Sequence, residues 1–450
     1  MVDLRTGDCL EVLAELEACS VDALVTDPPY GLGKPPPIRE VLACWLAGET
    51  YEAKGGGFMG KAWDAMVPPP EVWAAALRVL KPGAWGVVFA GTRTVDLMGI
   101  SLRLGGWEVR DQIAYLYGSG FPKSLDVSAA IDRAVGARRE VVGDKWAHKY
   151  PNGPGGNTFT VGGAPDGTRS SAPLTAPATD AAKRWDGYGT ALKPALEPAL
   201  LVRRPLDGTY ADNATRWGVG GLNIDAGRVN GRWPANVMFG HNEDCGEDCT
   251  RGCAVAMLDE QSGETKSKQS MRGVGLTNSN VFGKADPTFD TLRGHNDSGG
   301  ASRFFYTAKP SRSEREAGLD GLPVWTGAEA VNRDPDSAGI NNPRAGAGRT
   351  AGEVRNHHPT VKPVDLMQNL VQLVTPPATD GRRPLILDPF MGSGTTGMAA
   401  AGLGLNFIGI DLDPAHVQIA RARIEWAAPG RRVDCDQEDT REQPQQGRLF

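Results

Sequence analysis

Four consecutive residues near the start of the chain, Asp27-Pro28-Pro29-Tyr30, join a carboxylate, two prolines and an aromatic hydroxyl. An exocyclic ring amine is a poor nucleophile because its lone pair is delocalised into the ring. Acceptors that hold its N–H groups favour an sp³ nitrogen and make it a better one. The Asp27 carboxylate and the Pro28 carbonyl are two such acceptors. Pro28 and Pro29 stiffen the backbone that aims the carbonyl, and Tyr30 is suited to stacking on a base. A base inside a duplex has to be flipped out to reach such a pocket. The competing reading is a proline turn that merely ends a strand.

A second constellation lies near the other end. Leu385-Ile-Leu-Asp388-Pro-Phe390-Met-Gly392-Ser393-Gly394-Thr395-Thr396-Gly397 has the order strand, glycine-rich turn, helix start. Glycines there let a ligand approach the backbone, and the helix start offers free N–H groups and a positive end. The next strand ends at Asp411, about 20 residues on, where an acid can bind the ribose hydroxyls of a nucleotide-like cofactor. The glycine spacing departs from the dinucleotide fingerprint. No lysine follows the last glycine, so this is not a phosphate-gripping P-loop. A tight turn without a ligand is the alternative.

A third group, His241, Cys245, Cys249 and Cys253, recurs every four residues. On one helix that spacing would string the side chains over several turns, too far apart for one metal, and Gly246 and Gly252 argue against such a helix. A looped chain would bring one His and three Cys into a structural, tetrahedral zinc site with every position filled. Otherwise they are unconnected thiols in an acidic loop.

The elements that must position these groups alternate. Glu11-Val-Leu-Ala-Glu-Leu has helical spacing. Val21 to Thr26 is a β-branched run that must leave the sheet at the prolines. Residues 71–80 predict an amphipathic helix, Lys81-Pro-Gly a turn, and Trp85 to Ala90 a buried strand. Further strands are expected over 107–117 and 198–203. After His358 come a helix (363–374), a strand (384–388), a helix (395–403), a strand (406–411) and a closing helix (414–427). Helix, turn and apolar strand in this order predict a parallel α/β sheet. Residues 144–189 and 262–301 are rich in Gly, Pro, Asn, Ser and Thr and too poor in apolar periodicity to be cores. The simplest arrangement is one sheet built from both ends of the chain, with the middle as a separate lobe.

Bulk properties narrow the class. The 450 residues suffice for one large domain with insertions, and 58 Gly with 33 Pro predict long interrupting loops. The formal charge of -6 does not advertise nucleic-acid binding, but a local basic cleft can sit on an acidic protein. Seven cysteines without an export signal argue against a disulfide framework. No stretch is apolar enough to span a membrane. A cytoplasmic location is expected, with no membrane partner.

Together the two end motifs resemble the DNA amino-methyltransferases in the motif order called the β class, of the site-specific phage and prophage kind. There the Asp-Pro-Pro-Tyr comes first, a target-recognition region follows, and the cofactor turn comes last. Asp3-Leu-Arg-Thr-Gly7-Asp8-Cys9 resembles the family's cofactor-adenine segment, and His358-Pro-Thr360-Val-Lys362-Pro363 the segment lining the methionine end. Phe121-Pro-Lys-Ser-Leu-Asp and Leu192-Lys-Pro-Ala-Leu-Glu197-Pro resemble segments common in phage members.

The resemblance implies a Rossmann-like, S-adenosylmethionine-dependent methyltransferase α/β sheet with an inserted, loop-rich target-recognition region. It implies Asp27, Pro28, Pro29 and Tyr30 as catalytic residues. For S-adenosylmethionine it implies Asp8, Cys9, Asp27, Thr360, Lys362, Asp388, Phe390, Gly392, Ser393, Gly394, Thr395, Thr396 and Asp411. Within that set Asp8 meets the adenine, Phe390 the adenosine, the glycine turn the methionine and Asp411 the ribose. The implied reaction is direct in-line methyl transfer to the N6 amine of a flipped adenine, as in a restriction–modification system. Asp at position 27 is typical of adenine enzymes, whereas Ser is commoner in cytosine-N4 ones. Cytosine-N4, an RNA or protein amine, and a catalytically silent DNA-binding relative are the alternatives.

The expected division is a first catalytic part (1–143), a loop-rich insertion (144–189), a catalytic strand (190–206), a target-recognition region with the zinc site (207–355), the cofactor-binding part (356–428) and a flexible tail (429–450). Double-stranded DNA is the implied partner, and a homodimer a possible assembly. Arg216, Arg228, Arg232, Trp217, Trp233, Lys266, Lys268 and Arg272 are candidates for DNA contact. The tail ends in Gln446-Gly-Arg-Leu449-Phe450, which resembles the clamp-binding peptide Gln-x-x-Leu-Phe and suggests a sliding-clamp partner.

Overall fold

The computed structural model describes residues 1–33, 35–53, 62–118, 120, 124–144, 173–246, 248–271, 292–325, 354–358, 360–379 and 381–428. Its centre is a nine-stranded sheet. In chain order the strands are β1 (Val2–Thr6), β2 (Val21–Thr26), β3 (Leu80–Phe89), β4 (Glu108–Tyr117), β5 (Leu196–Arg203), β6 (Val237–Gly240), β7 (Tyr306–Ala308), β8 (Leu385–Asp388) and β9 (Asn406–Asp411). The spatial order is β1-β9-β8-β2-β3-β5-β4-β6-β7. All neighbours are parallel except β5, which runs antiparallel to both β3 and β4. The expected α/β methyltransferase-type sheet is therefore present.

Helices cover both faces. The main ones are α1 (Cys9–Glu15), α2 (Pro70–Val79), α3 (Val95–Leu104), α4 (Ala254–Ser262), α5 (Val364–Val374), α6 (Thr395–Gly402) and α7 (Pro414–Ala427). Along β3, Trp85, Val87 and Phe89 join α5, α6 and α7 in one core, while Ala84 and Val88 join α1, α2 and α3 in the other. This is the period-2 alternation of a strand buried on both faces. Helix α5 buries Val364, Met367, Leu370, Val371 and Val374, the spacing of one helical face. Helix α7 starts where Asp413 caps Ala415 N–H at 2.9 Å and Pro414 takes the first turn. Among the described residues no helix is long and apolar enough to cross a membrane.

Three expectations change. Lys81-Pro-Gly is not a turn before the strand but a bulge inside it. Val21 pairs with Leu80 and Ala23 with Trp85, so residues 81–84 form the bulge. Lys81 is drawn in by its 2.6 Å ion pair with buried Asp22. The middle of the chain is also not wholly a separate lobe, because β6 and β7 extend the sheet beyond β4. Each is only three or four residues long and carries too little periodicity to stand out. Finally, the flanks of the 144–189 insertion are ordered. Val141–Asp144 pairs with Pro173–Thr175, and buried Asp132 ties Arg139 (3.0 Å) to the amides of Ala178 and Thr179. Residues 145–172 lie outside the described set.

Candidate active site

The strand order lays the two end motifs side by side. Thr6 pairs with Asp411, Gly409 with Asp388, and Leu387 with Leu24. These four strands are parallel, so their carboxyl ends carry Asp8, Asp411, the glycine turn and Asp27 in a row along one edge. Thr26 Oγ1 donates to Asp388 Oδ1 at 2.6 Å, which stitches the motifs together across 362 residues of sequence. A crevice outside the carboxyl ends of strands, where the chain order reverses, is the usual ligand position in open α/β sheets.

Asp27 does not stand alone. The Tyr30 hydroxyl donates to its Oδ1 at 2.6 Å, and the Lys362 ammonium to its Oδ2 at 2.6 Å. Lys362 also reaches Glu197 at 3.3 Å and the Tyr30 oxygen at 3.2 Å. Its Nζ lies 5.4 Å from the Tyr30 ring centre and 5.0 Å from that of Phe89, within cation–π range. Burial works against this charge, but Asp27 and Glu197 outweigh it and hold Lys362 above the ordinary lysine range. Burial, then the charges of Asp27 and Glu197, keep the Tyr30 phenol protonated as a donor. Among the described residues the Pro28 carbonyl accepts no hydrogen bond.

The loop after the prolines is braced from below. Buried Asp64 accepts from the amides of Tyr30 (2.8 Å), Gly31 (3.0 Å) and Leu32 (3.3 Å), and Thr94 Oγ1 donates to the Tyr30 carbonyl at 2.6 Å. Neither brace is legible in the sequence. An Asp in an irregular segment carries no periodicity, and only the fold brings it to the loop. Glu197 lies in the Leu192–Pro198 segment, and only the fold brings it to Lys362.

The glycine turn is held from behind. Gly392 and Gly394 take φ of +53° and +80°, a region that favours glycine. Gly392 N–H donates to Asp411 Oδ2 at 2.9 Å, and Asp413 N–H to its Oδ1 at 2.9 Å. Asp411 thus ties the turn to β9 while lying next to Asp8. Fully buried Arg423 on α7 donates to the Ser393 carbonyl (2.6 Å), Ser393 Oγ (3.0 Å) and Thr395 Oγ1 (3.3 Å). Burial lowers its guanidinium to about 10, so it remains charged at neutral pH. An arginine on the same helical face as Val417, Ala420 and Ile424 was the available signal. His358 donates through Nδ1 to the Thr360 carbonyl at 2.6 Å and meets the His416 ring edge-on at 4.7 Å. Burial first, then His416, hold His358 down to about 4.

The expected cofactor residues therefore divide. Asp8 is exposed and caps α1 through Leu10 N–H at 2.8 Å. Phe390 is half-buried with its ring 6.1 Å from that of Trp73. Thr360 is exposed, and Lys362 sits on Asp27. Asp388, Ser393, Thr395 and Thr396 are buried beneath the turn. Burial raises the Cys9 thiol to about 12, with Asp8 adding to the effect.

Burial likewise pushes Asp388 up to about 6, although Thr26, Thr396 and the Phe390 amide oppose it. A carboxyl raised in the folded state takes up its proton earlier as pH falls, so it destabilises the fold above about pH 6 and ceases to between about 6 and 3.8. Asp388→Asn keeps an oxygen to accept from Thr26 and Phe390. The variant is expected to gain melting temperature over the parent most above pH 6, with the gain shrinking towards pH 4. Thermal unfolding across that range checks it, and a gain that grows as pH falls contradicts it.

His241, Cys245, Cys249 and Cys253 are brought together at the end of β6, their ligand atoms all within 4.8 Å of one another. Three DNA-contact candidates are engaged within the chain. Arg216 pairs with Asp207 (2.8 Å), Arg228 with Asp225 (2.7 Å) and Arg232 with Asp297 (2.7 Å). Trp217 donates to Asp207 at 3.1 Å, and Trp233 is exposed with Arg228 over its ring. Lys266 and Lys268 are exposed. Arg272, Phe121-Pro-Lys and the tail with Leu449 and Phe450 lie outside the described residues.

With this geometry in view, comparison with known proteins gives three findings. Residues 266–422 match the family model described as DNA methylase, N6/N4 type. A 68-residue segment is 46% identical to the type II methyltransferase M2.DpnII of Streptococcus pneumoniae, covering 15% of this chain and 24% of that protein. Another of 71 residues is 41% identical to M2.LlaDCHI of Lactococcus lactis subsp. cremoris, covering 16% of this chain and 24% of that protein. The chain thus spans about a quarter of the length of the curated relatives it matches. Solved structures similar to it include TTHA0409 of Thermus thermophilus complexed with S-adenosyl-L-methionine (15% identity, TM-score 0.36, 96% of each chain). The cytosine-N4-specific PvuII DNA methyltransferase is another (12% identity, TM-score 0.39, 94% of this chain and 86% of that one). The chain is thus similar to the DNA amino-methyltransferases of restriction–modification systems, as its motifs imply.

Proposed function

We propose that the chain is a site-specific DNA methyltransferase acting on the exocyclic N6 amine of a flipped adenine. The observation that carries this reading is the Thr26–Asp388 contact, which sets the amine-holding motif directly beside the glycine turn. The residues present fit S-adenosylmethionine. Positive-φ glycines fold the turn tightly onto the start of α6, Phe390 offers a half-buried ring, and acids stand at the ends of β1 and β9. Phe390, the Gly392–Gly394 turn, Asp411 and Asp8 would hold it. When bound, it supplies an electrophilic methyl on a sulfonium.

The chain's own residues prepare the acceptor. Asp27 and the Pro28 carbonyl accept the amine's N–H groups and favour its sp³ form. Tyr30 packs against the base and, with Lys362, orients the Asp27 carboxylate. Lys362 balances Asp27 against Glu197, so the carboxylates need not repel. The rate comes mainly from alignment and preorganised polar groups. Asp64 acts at one remove by fixing the loop. Asp64→Ala is expected to lower kcat for methyl transfer about 10-fold or more while leaving cofactor affinity unchanged. A matching loss of cofactor affinity in titration calorimetry would show a general unfolding instead.

Mass spectrometry of nucleosides from DNA treated with the protein tests the base. N6-methyladenine is expected, and N4-methylcytosine without it overturns the adenine assignment. Parallel reactions on duplex DNA, single strands and RNA test the substrate class, with duplex DNA expected to be preferred.

A further inference from the structure

The cysteine–histidine group is the strongest feature that the methyl-transfer reading leaves unused. Residues 241–246 and 248–253 form no helix, and they bring the four side chains back together. His241 Nδ1 lies 3.4 Å from Cys249 Sγ and 3.5 Å from Cys253 Sγ. A tetrahedral zinc with sulfurs at ~2.3 Å and a nitrogen at ~2.0–2.1 Å sets ligand–ligand separations of roughly 3.5–3.8 Å. The two His–Cys spacings are close to those of such a shell, and all four ligand atoms lie within 4.8 Å of one another.

The surroundings match as well. Thr250 donates its N–H to Cys245 Sγ at 3.3 Å, and its hydroxyl lies 3.4 Å from the same sulfur. Such outer contacts orient metal-bound thiolates. Cys253 stands at the N-cap of α4, where a thiolate meets the helix's positive end. Zn²⁺ with three thiolates carries one net negative charge, and Lys309 Nζ is anchored alongside on the Gly246 carbonyl at 2.8 Å. The apolar material here is slight: Cys245, Cys253 and Val255, with Phe239 and Ala256 against them. So small a cluster does not hold a loop by itself, and a metal supplies what burial does not.

We propose that His241 Nδ1 and the sulfurs of Cys245, Cys249 and Cys253 bind one structural Zn²⁺ that fastens strand β6, next to the sheet edge, to helix α4. All four positions are protein ligands, so the metal has no open site for chemistry. Strand β6 is parallel to β4 and lies four strands from β2, so the metal loop sits on the same carboxyl edge as Asp27, roughly 19 Å away. There it packs on Gly118 at the end of β4.

Elemental analysis of the full chain, expressed with zinc and purified without chelator, is expected to find about one zinc per chain. Cobalt-exchanged protein is expected to show the visible bands of tetrahedral, thiolate-bound Co²⁺. Cys249 is exposed, so Cys249→Ser tests the site with little risk to packing. It is expected to lose the bands and at least half the zinc, whereas Cys44→Ser keeps both. Absence of stoichiometric zinc and of cobalt bands in the parent protein overturns the proposal. So does zinc content unchanged by Cys249→Ser, or a disulfide among Cys245, Cys249 and Cys253 in peptide mapping. None of these readouts depends on methyl transfer.

Discussion

Asp27→Ala is expected to lower methyl transfer by about 10²–10³-fold or more, the usual cost of one preorganised polar group in a reaction centre. Cofactor affinity and melting temperature are expected to stay near those of the parent. The structural reason lies in Lys362. Its ammonium has two carboxylate partners, Asp27 at 2.6 Å and Glu197 at 3.3 Å. Losing Asp27 leaves Glu197 to carry the charge, so no buried cation is orphaned. The glycine turn rests on Asp411 and Arg423 and does not depend on Asp27. Single-turnover assays with labelled cofactor, beside calorimetric titration, separate the two effects. A variant that keeps more than about a tenth of the parent rate removes Asp27 from its proposed role.

Gly394→Ala is expected to cost about 2–4 kcal/mol in stability and to weaken cofactor binding with it. Two costs add. The residue has φ of +80°, where a Cβ is strained. An added Cβ would also stand 2.7 Å from Ala420 Cβ and 2.9 Å from Ala420 Cα, on the helix that carries Arg423. The turn can yield only by moving away from α7, which pulls Ser393 and Thr395 off the buried guanidinium. Gly404 isolates the first term. Its φ is +69° but an added Cβ there meets nothing within 4 Å, so Gly404→Ala is expected to cost about 1–2 kcal/mol from strain alone. Urea unfolding of both variants checks the difference. Equal losses would mean that the contact with Ala420 is relieved without effect.

Much of this architecture was legible in the chain. Strand β2 announces itself by a β-branched run ending in prolines, and β8, α6, β9 and α7 by the order of apolar run, glycine turn and capped helix. Such elements are specified by residues close together in sequence, through hydrogen bonds and periodic burial. The short strands β6 and β7 were not legible, since three or four residues become strands only because β4 offers an edge to β6, and β6 in turn to β7. The four metal-ligand candidates were visible as residue types, but only the folded loop decides that their atoms converge.

The two end motifs divide along the same line. The residues Asp27-Pro28-Pro29-Tyr30 and the glycine turn, with their order and chemistry, were determined by the sequence alone. That they face one crevice was decided by parallel pairing of β8 with β2, which joins segments more than 350 residues apart. The partners of that crevice were decided only by tertiary structure: Lys362 and Glu197 around Asp27, Asp64 under the loop, and Arg423 behind the turn. The physical reason is that a charge or acceptor acts through distance in space. Local sequence fixes which groups a segment carries, and long-range packing fixes which of them meet.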